Sequence, residues 1–411
     1  MAKYKTLDDY NVTGKIVIAR VDFNSEIDPE TKKVASDVRI KAHADSTLKE
    51  LAEKGAKTIV LAHQGRKGDP DYTTLKYHAA TLQKLLPKTP VKYVDDLFGD
   101  KAKTAIKNLK NGEILVLENV RSWDPETKSG TPEAQSKTAL VQNLAPLADL
   151  YISDAFSAAH RSHVSIVGFT PVLPSAAGRI MQRELTSLGK ALEKPEHPCI
   201  YVMGGAKADD SLEISKYVLG NGVADYVLLG GVTAQLFLAA KGVDLGKPAM
   251  DFLAQKELTQ YLPGIKALIE QFGDKIRTPT DLAINIYGDR AEINLDQLPT
   301  NYAIFDLGHK TVEQYAKLIK AAKAIVVSGP MGVYENPHFN YGTKGVLEAI
   351  ADSKAFSLAG GGNTIAAIQE YGLTKKIGYI STAGGALIEF LMGKKLPGVA
   401  ALESAVSSKK I

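Results

Sequence analysis

Short, uninterrupted apolar runs alternate with amphipathic stretches along almost all of the 411 residues, and no other feature constrains the fold as strongly. The runs at 16–21, 58–62, 114–117, 150–152, 200–203, 226–229, 303–305, 324–327 and 377–380 are rich in Val, Ile and Leu. Continuous rather than alternating apolarity suits strands covered on both faces. Between them, 40–54, 74–86, 212–219 and 312–322 repeat apolar residues at helical spacing. Strand following helix in this way predicts parallel sheets with helices on each face, joined by right-handed crossovers. The expected fold is α/β, with two doubly wound, Rossmann-like domains over 1–174 and 195–395. Pro171, Pro174, Pro195 and Pro198 bracket 175–194. That stretch reads as a hinge helix, N-capped by Ser175, joining the domains across a cleft. An ordinary helix inside one domain is the alternative.

Charge excludes some functions. Fifty Lys and Arg against 46 Asp and Glu give +4, too balanced for a dedicated nucleic-acid binder. Cys199 is the only cysteine, so no intrachain disulfide forms, which fits a reducing compartment. No apolar run approaches the ~18 residues of a membrane span, and the first residues lack the apolar stretch of a signal peptide. A cytoplasmic protein with neither nucleic-acid nor membrane partners is expected.

In open parallel sheets ligands sit beyond the carboxyl ends of the strands, and the two halves differ there. The first half places charged residues after its runs: Asp22 and Asn24; His63, Gly65 and Arg66; Glu118, Asn119 and Arg121; Asp154, His160, Arg161 and His163. Arg20 lies inside the first run and Arg39 further on. Guanidinium forks match phosphate and carboxylate bidentately, so several arginines at strand ends point to one anion. The second half places glycines there: Gly204-Gly205-Ala206-Lys207, Gly230-Gly231, Gly329-Pro330-Met331-Gly332, Gly360-Gly361-Gly362-Asn363-Thr364 and Gly384-Gly385. Backbone amides opening a helix cradle phosphates. P-loop, dinucleotide-fingerprint and H-E-x-x-H patterns are absent. His160 and His163 read as hydrogen-bonding residues, and no protein metal site is expected. An anion clamp in one half and phosphate-cradling backbone in the other suggest phosphoryl transfer across a cleft, with Lys207 as the bridging cation. A nucleotide-dependent dehydrogenase and a non-catalytic anion-binding protein are the rival readings of such a scaffold.

Eight ordered segments resemble phosphoglycerate kinase. They are Arg20-Val21-Asp22-Phe23-Asn24, His63-Gln64-Gly65-Arg66, Leu117-Glu118-Asn119-Val120-Arg121, Asp154-Ala155-Phe156 with Ala159-His160-Arg161, Gly204-Gly205-Ala206-Lys207, Gly329-Pro330-Met331-Gly332-Val333-Tyr334-Glu335, Gly360-Gly361-Gly362 and Leu396-Pro397-Gly398-Val399. The resemblance implies reversible phosphoryl transfer between 1,3-bisphosphoglycerate and ADP, giving 3-phosphoglycerate and ATP, with Mg²⁺ carried on the nucleotide, in a monomer or homodimer. It implies a phosphoglycerate site of Asp22, Phe23, Asn24, Arg39, His63, Gln64, Gly65, Arg66, Arg121 and Arg161. It implies nucleotide contacts from Lys207, Glu335, Gly361, Gly362, Asn363 and Thr364, with Lys207 and Arg39 catalytic. It also implies that the tail, 396–411, returns to the first domain. Four departures resemble archaeal members: Ser211 where a second lysine is usual, Asn363 for the metal-nucleotide Asp, Ser328 for Asn, and Ala383 for Gly.

Overall fold

A computed structural model describes residues 4–407. These divide into two compact units, one running to Leu185 and resuming at Lys395, the other Thr186–Lys394. The last four residues of the expected returning tail, 408–411, lie outside the described residues.

The first unit holds β1 (Ile16–Arg20), β2 (Lys57–Leu61), β3 (Val91–Tyr93), β4 (Ile114–Val116), β5 (Leu150–Ser153) and β6 (Ser175–Ala177). They form one sheet, ordered β3-β4-β2-β1-β5-β6, and every pair is parallel. Successive side chains alternate between faces. Val17 and Ala19 join a core with Ile40, Leu48 and Val60, while Ile18 joins another with Ile59, Ile106, Leu115 and Tyr151. Both faces are covered, which is why the strands read as continuous apolar runs. The helix Pro397–Ser407 completes this unit. Its Gly398 amide donates to the Ala159 carbonyl (2.8 Å), and Ala401 packs with Ala155, Ala158, Ile166 and Val167.

The second unit holds β7 (Cys199–Met203), β8 (Tyr226–Leu229), β9 (Ile276–Arg277), β10 (Asp281–Ile286), β11 (Asp289–Asn294), β12 (Ala303–Leu307), β13 (Ala324–Ser328), β14 (Phe356–Gly360) and β15 (Tyr379–Ile380). Its main sheet runs β15-β14-β13-β7-β8-β9, again all parallel. Connections leave β7 towards β8 and later return to β13 on its other side, so the switch point lies between β7 and β13.

Two expectations need correction. The run at 303–305 is not in the parallel sheet: β12 pairs antiparallel with β10 in a separate sheet, β11-β10-β12. An apolar run records that a strand is buried but not the direction of its neighbour. The hinge helix does not span 175–194. Ser175–Ala177 is the edge strand β6, with the Ser175 hydroxyl donating to the Leu173 carbonyl (2.9 Å) instead of capping a helix. The helix is Arg179–Leu188, followed by a wider turn, Gly189–Glu193. The division between units falls inside that helix, later than the boundary expected at 174.

Candidate active site

In the first unit, the site is organised from a fully buried arginine outward. Arg20 ends β1, where its Nε donates to Ser165 Oγ (2.8 Å), one terminal nitrogen to the Val21 carbonyl, and the other to His63 Nδ1 (3.1 Å). A guanidinium can only donate, so His63 accepts at Nδ1 and keeps its proton on Nε2. Burial, reinforced by the Arg20 charge, holds the His63 pKa well below its usual 6.5. The ring is therefore neutral. The Ser165 hydroxyl donates to Glu126 Oε1 (2.6 Å) and the Ser165 amide to Oε2 (2.9 Å). Glu126 is wholly buried, and burial pushes its carboxyl up to about 7 against the pull of Arg20 and Ser165.

Asp22 lies in the turn after β1. Burial alone would raise its carboxyl, but the Arg39 guanidinium on Oδ2, the Ser157 hydroxyl (2.5 Å) and the Asn24 amide (2.9 Å) outweigh that and hold it below the ordinary range. Asn24 Oδ1 takes the Gly65 amide (2.8 Å), and Arg121 donates to the Gly65 carbonyl. Gly65 has φ +63°, and a Cβ there would sit 2.6 Å from the Tyr72 amide nitrogen, so glycine is required.

Arg66, Arg121 and Arg161, with Lys67 and His163, line a cavity of about 400 Å³. Burial and then the neighbouring Arg161, Arg20 and Arg66 lower the Arg121 pKa to about 10. Arg161 is lowered likewise by burial and by Arg66 and Arg20, and His163 falls to about 3. Asp124, the lining carboxylate, is taken by Lys67 (2.7 Å). Glu126 and Asp22 offset only part of the mutual repulsion of the arginines, and a bound anion relieves the rest.

At two of the expected residues the side chain is committed inside the protein. The Phe23 ring is fully buried in the core, against Ile40 and Leu75 among others. The Gln64 amide is consumed internally: Oε1 accepts from the Ser25 amide (2.8 Å) and His78 Nε2 (3.0 Å), and Nε2 donates to the Ser25 and Asp71 carbonyls (both 3.0 Å). Both side chains shape the turns.

In the second unit, the glycine turns after β7, β13 and β14 meet at the switch point around a cavity of about 350 Å³. Gly329 has φ +87°, and a Cβ on it would land on the Gly204 carbonyl; one on Gly204 would land on the Pro330 carbonyl. Absent side chains let the two turns touch. Thr364 is buried, and its hydroxyl accepts the Gly329 amide (2.7 Å), so it braces a turn. Gly361 (φ +89°) turns the chain into the helix Gly362–Glu370, whose first amides have no intrahelical acceptor. Lys207 immediately precedes the helix Ala208–Gly220, with its side chain 81% exposed and Nζ 3.9 Å from Asp210 Oδ2. Ser211 is buried, its hydroxyl 3.5 Å from that of Thr233. Glu335 is exposed and does not line this cavity, so it stands apart from Gly361, Gly362, Asn363 and Thr364.

Among the described residues no group of three or more His, Cys, Asp and Glu side chains could hold a metal ion. Asp210 is the one carboxylate lining the glycine cavity, which Asn363 also lines. That donor set does not make a protein cage. It fits a hard cation that arrives with phosphate and water ligands of its own.

Sequence reasoning missed Ser157, Ser165 and Glu126, and it assigned Arg20 no partner. Only the fold brings Glu126, in the polar stretch Asp124–Thr127, beneath the arginines.

A family model for phosphoglycerate kinase matches residues 7–394. The chain is similar to the phosphoglycerate kinase of Methanothermus fervidus, 44% identical over 405 residues and 98% of each chain. It is 46% identical to that of Methanothermobacter thermautotrophicus over 403 residues, 98% of this chain and 97% of the relative. Among solved structures it is similar to phosphoglycerate kinase from Pyrococcus horikoshii, with TM-score 0.87 and 42% identity over 98% of this chain and 99% of that one. The enzyme from Coxiella burnetii gives TM-score 0.85 and 30% identity with the same coverage.

Proposed function

The chain belongs to the phosphoglycerate kinase family, and from that premise we propose which of its residues carry the reaction. The enzyme is an ATP-dependent kinase of glycolysis, moving a phosphoryl group reversibly between 1,3-bisphosphoglycerate and ADP to give 3-phosphoglycerate and ATP. The first unit binds the acid. The observation that carries this assignment is the set of mutually repelling arginines around the first cavity. Arg66, Arg121 and Arg161 grip the phosphate of 3-phosphoglycerate, and His63 offers it the Nε2 proton that Arg20 fixes there. Asp22 and Asn24 hold the glycerate end and aim Arg39. The turns at Gly204, Gly329 and Gly361 bind the nucleotide phosphates through backbone amides, and Glu335 contacts the ribose.

The accepting group is a carboxylate, ionised at neutral pH, so no general base is needed. A neutral His63 and a site without an acid–base dyad agree with that. Catalysis reduces to in-line positioning and to neutralising charge on the migrating group, without a covalent enzyme intermediate. Lys207 and Arg39 supply the cations. Mg²⁺ on the nucleotide supplies further neutralisation, and the Asn363 carbonyl with Asp210 would hold it. Direct transfer requires the reacting oxygens to approach to about 3–3.5 Å, with water excluded because it hydrolyses the acyl phosphate. One chain carries every group named, which suits a monomer or a homodimer in the cytoplasm. No helix among the described residues is long and apolar enough to cross a membrane.

Lys207→Ala tests the central role. Steady-state assay of 3-phosphoglycerate with ATP should show kcat lower by about a thousandfold with acid binding nearly intact. Near-normal turnover would remove Lys207 from the chemistry.

A further inference from the structure

His43 lies one helical turn beyond Arg39 and is 3% exposed. Its Nε2 faces the Asp22 backbone amide at 3.1 Å. An amide can only donate, so Nε2 is unprotonated and the ring's proton sits on Nδ1, which donates to Asp154 Oδ2 at 2.8 Å. Asp154 is fully buried. Its other oxygen accepts the amides of Ile180 (2.8 Å) and Met181 (3.1 Å), in the first turn of Arg179–Leu188. The preceding amide, that of Arg179, is taken by Thr47 Oγ1 (2.8 Å), in the helical stretch that follows His43. The Phe23 and His43 rings meet edge to face with centroids 6.2 Å apart, and the charged group bonded to the imidazole is Asp154. Gly178 lies so close to Asp154 that a Cβ there would strike the carboxylate.

We infer that His43 is a positioning residue for the acid site: with its proton held on Nδ1 by Asp154, it fixes the turn that sets Asp22 and Arg39, and the same carboxylate ties that turn to the start of the helix Arg179–Leu188. This rests on the reading of Asp22 and Arg39 as part of the phosphoglycerate site. Neither bond at His43 is interchangeable. Moving the proton to Nε2 sets donor against donor at Asp22. Removing the ring leaves a buried amide and a buried carboxylate without their partner.

The test uses the full chain with 3-phosphoglycerate and with ATP, read by calorimetry and by hydrogen exchange of the segment containing Ile180 and Met181. His43→Ala should weaken 3-phosphoglycerate binding by about tenfold and leave ATP binding within about twofold. At saturating acid the unaltered enzyme should show slower exchange at Ile180 and Met181, and His43→Ala should lose that slowing. His43→Gln, which offers one acceptor and one donor, should recover part of both. Should His43→Ala fail to fold, Asp154→Asn keeps the shape and an acceptor for the helix amides but turns an N–H₂ towards Nδ1. That favours the wrong tautomer and should reproduce the selective loss of acid binding. Unchanged acid binding in both variants, equal losses for acid and ATP, or retained slowing at Ile180 and Met181 would overturn the inference. Arg121→Ala is the control: if it too binds the acid normally, the site assignment fails, and not the role of His43.

Discussion

The two halves of this kinase hold anions by opposite means. The first unit uses charged side chains, and each needs a scaffold: Arg20 is spent on Ser165, Val21 and His63 before any ligand arrives, and Glu126 lies beneath them. The second unit removes side chains. Gly204 and Gly329 let two turns touch, and the backbone itself becomes the binding surface. The first design stores repulsion that an anion relieves, so it depends on charge and pH. The second depends on shape and is indifferent to pH.

The comparison can be broken most sharply at the glycines. Gly329→Ala places a Cβ on the Gly204 carbonyl at φ +87°, and should cost about 3 kcal/mol or more in denaturant unfolding of the second unit, with nucleotide binding lost. A variant as stable as the unaltered chain would show that the turns have room to spare. The pH contrast comes next. Burial pushes the Glu126 carboxyl up to about 7 in the fold, against 4.5 for a free side chain. The unfolded chain therefore releases this proton first, and the contribution, full below pH 4.5, is lost as pH rises through 7. The loss is of order 3 kcal/mol. In Glu126→Gln, urea unfolding at pH 5 and pH 8 should show that part of the decline gone; an unchanged decline would mean Glu126 is not the group responsible. Arg66→Ala should weaken 3-phosphoglycerate by about 10- to 100-fold and spare ATP, and equal losses in calorimetry would contradict the division of labour. The smallest effect is expected at Asn363→Asp. A second carboxylate in the cavity that Asp210 lines should lower the Mg²⁺ concentration for half-maximal ATP binding by about threefold. No shift in a Mg²⁺ titration would mean that Asn363 does not face the metal.

Legibility followed the same division. Strands buried on both faces announce themselves, so β1, β2, β5, β7, β8 and β13 were readable from their apolar runs. The edge strands β3 and β6 are three residues long, and β11 is polar and partly exposed, so neither kind carries a signal. The direction of β12 is decided by its neighbour β10, which no local pattern records. Arginines and glycines at strand ends were visible as chemistry. Their supports were not: Glu126 looks like a surface acid in a polar turn, and His43 looks like one more residue of an amphipathic helix. Burial by distant segments gives both their character. Phe23 and Gln64 show the converse: they neighbour candidate site residues in sequence, yet their side chains are engaged inside the fold.

The helix Pro397–Ser407 is made after the whole second unit but belongs to the unit made first. On the ribosome, the flank formed by Ala155, Ala158, Ile166 and Val167 emerges long before Ala401 can cover it. The whole second unit is synthesised in between. The nascent enzyme therefore carries an unfinished apolar wall through most of its elongation, and vectorial synthesis cannot deliver a finished acid-binding half ahead of its partner. Maturation of the earlier half waits on synthesis of that one helix.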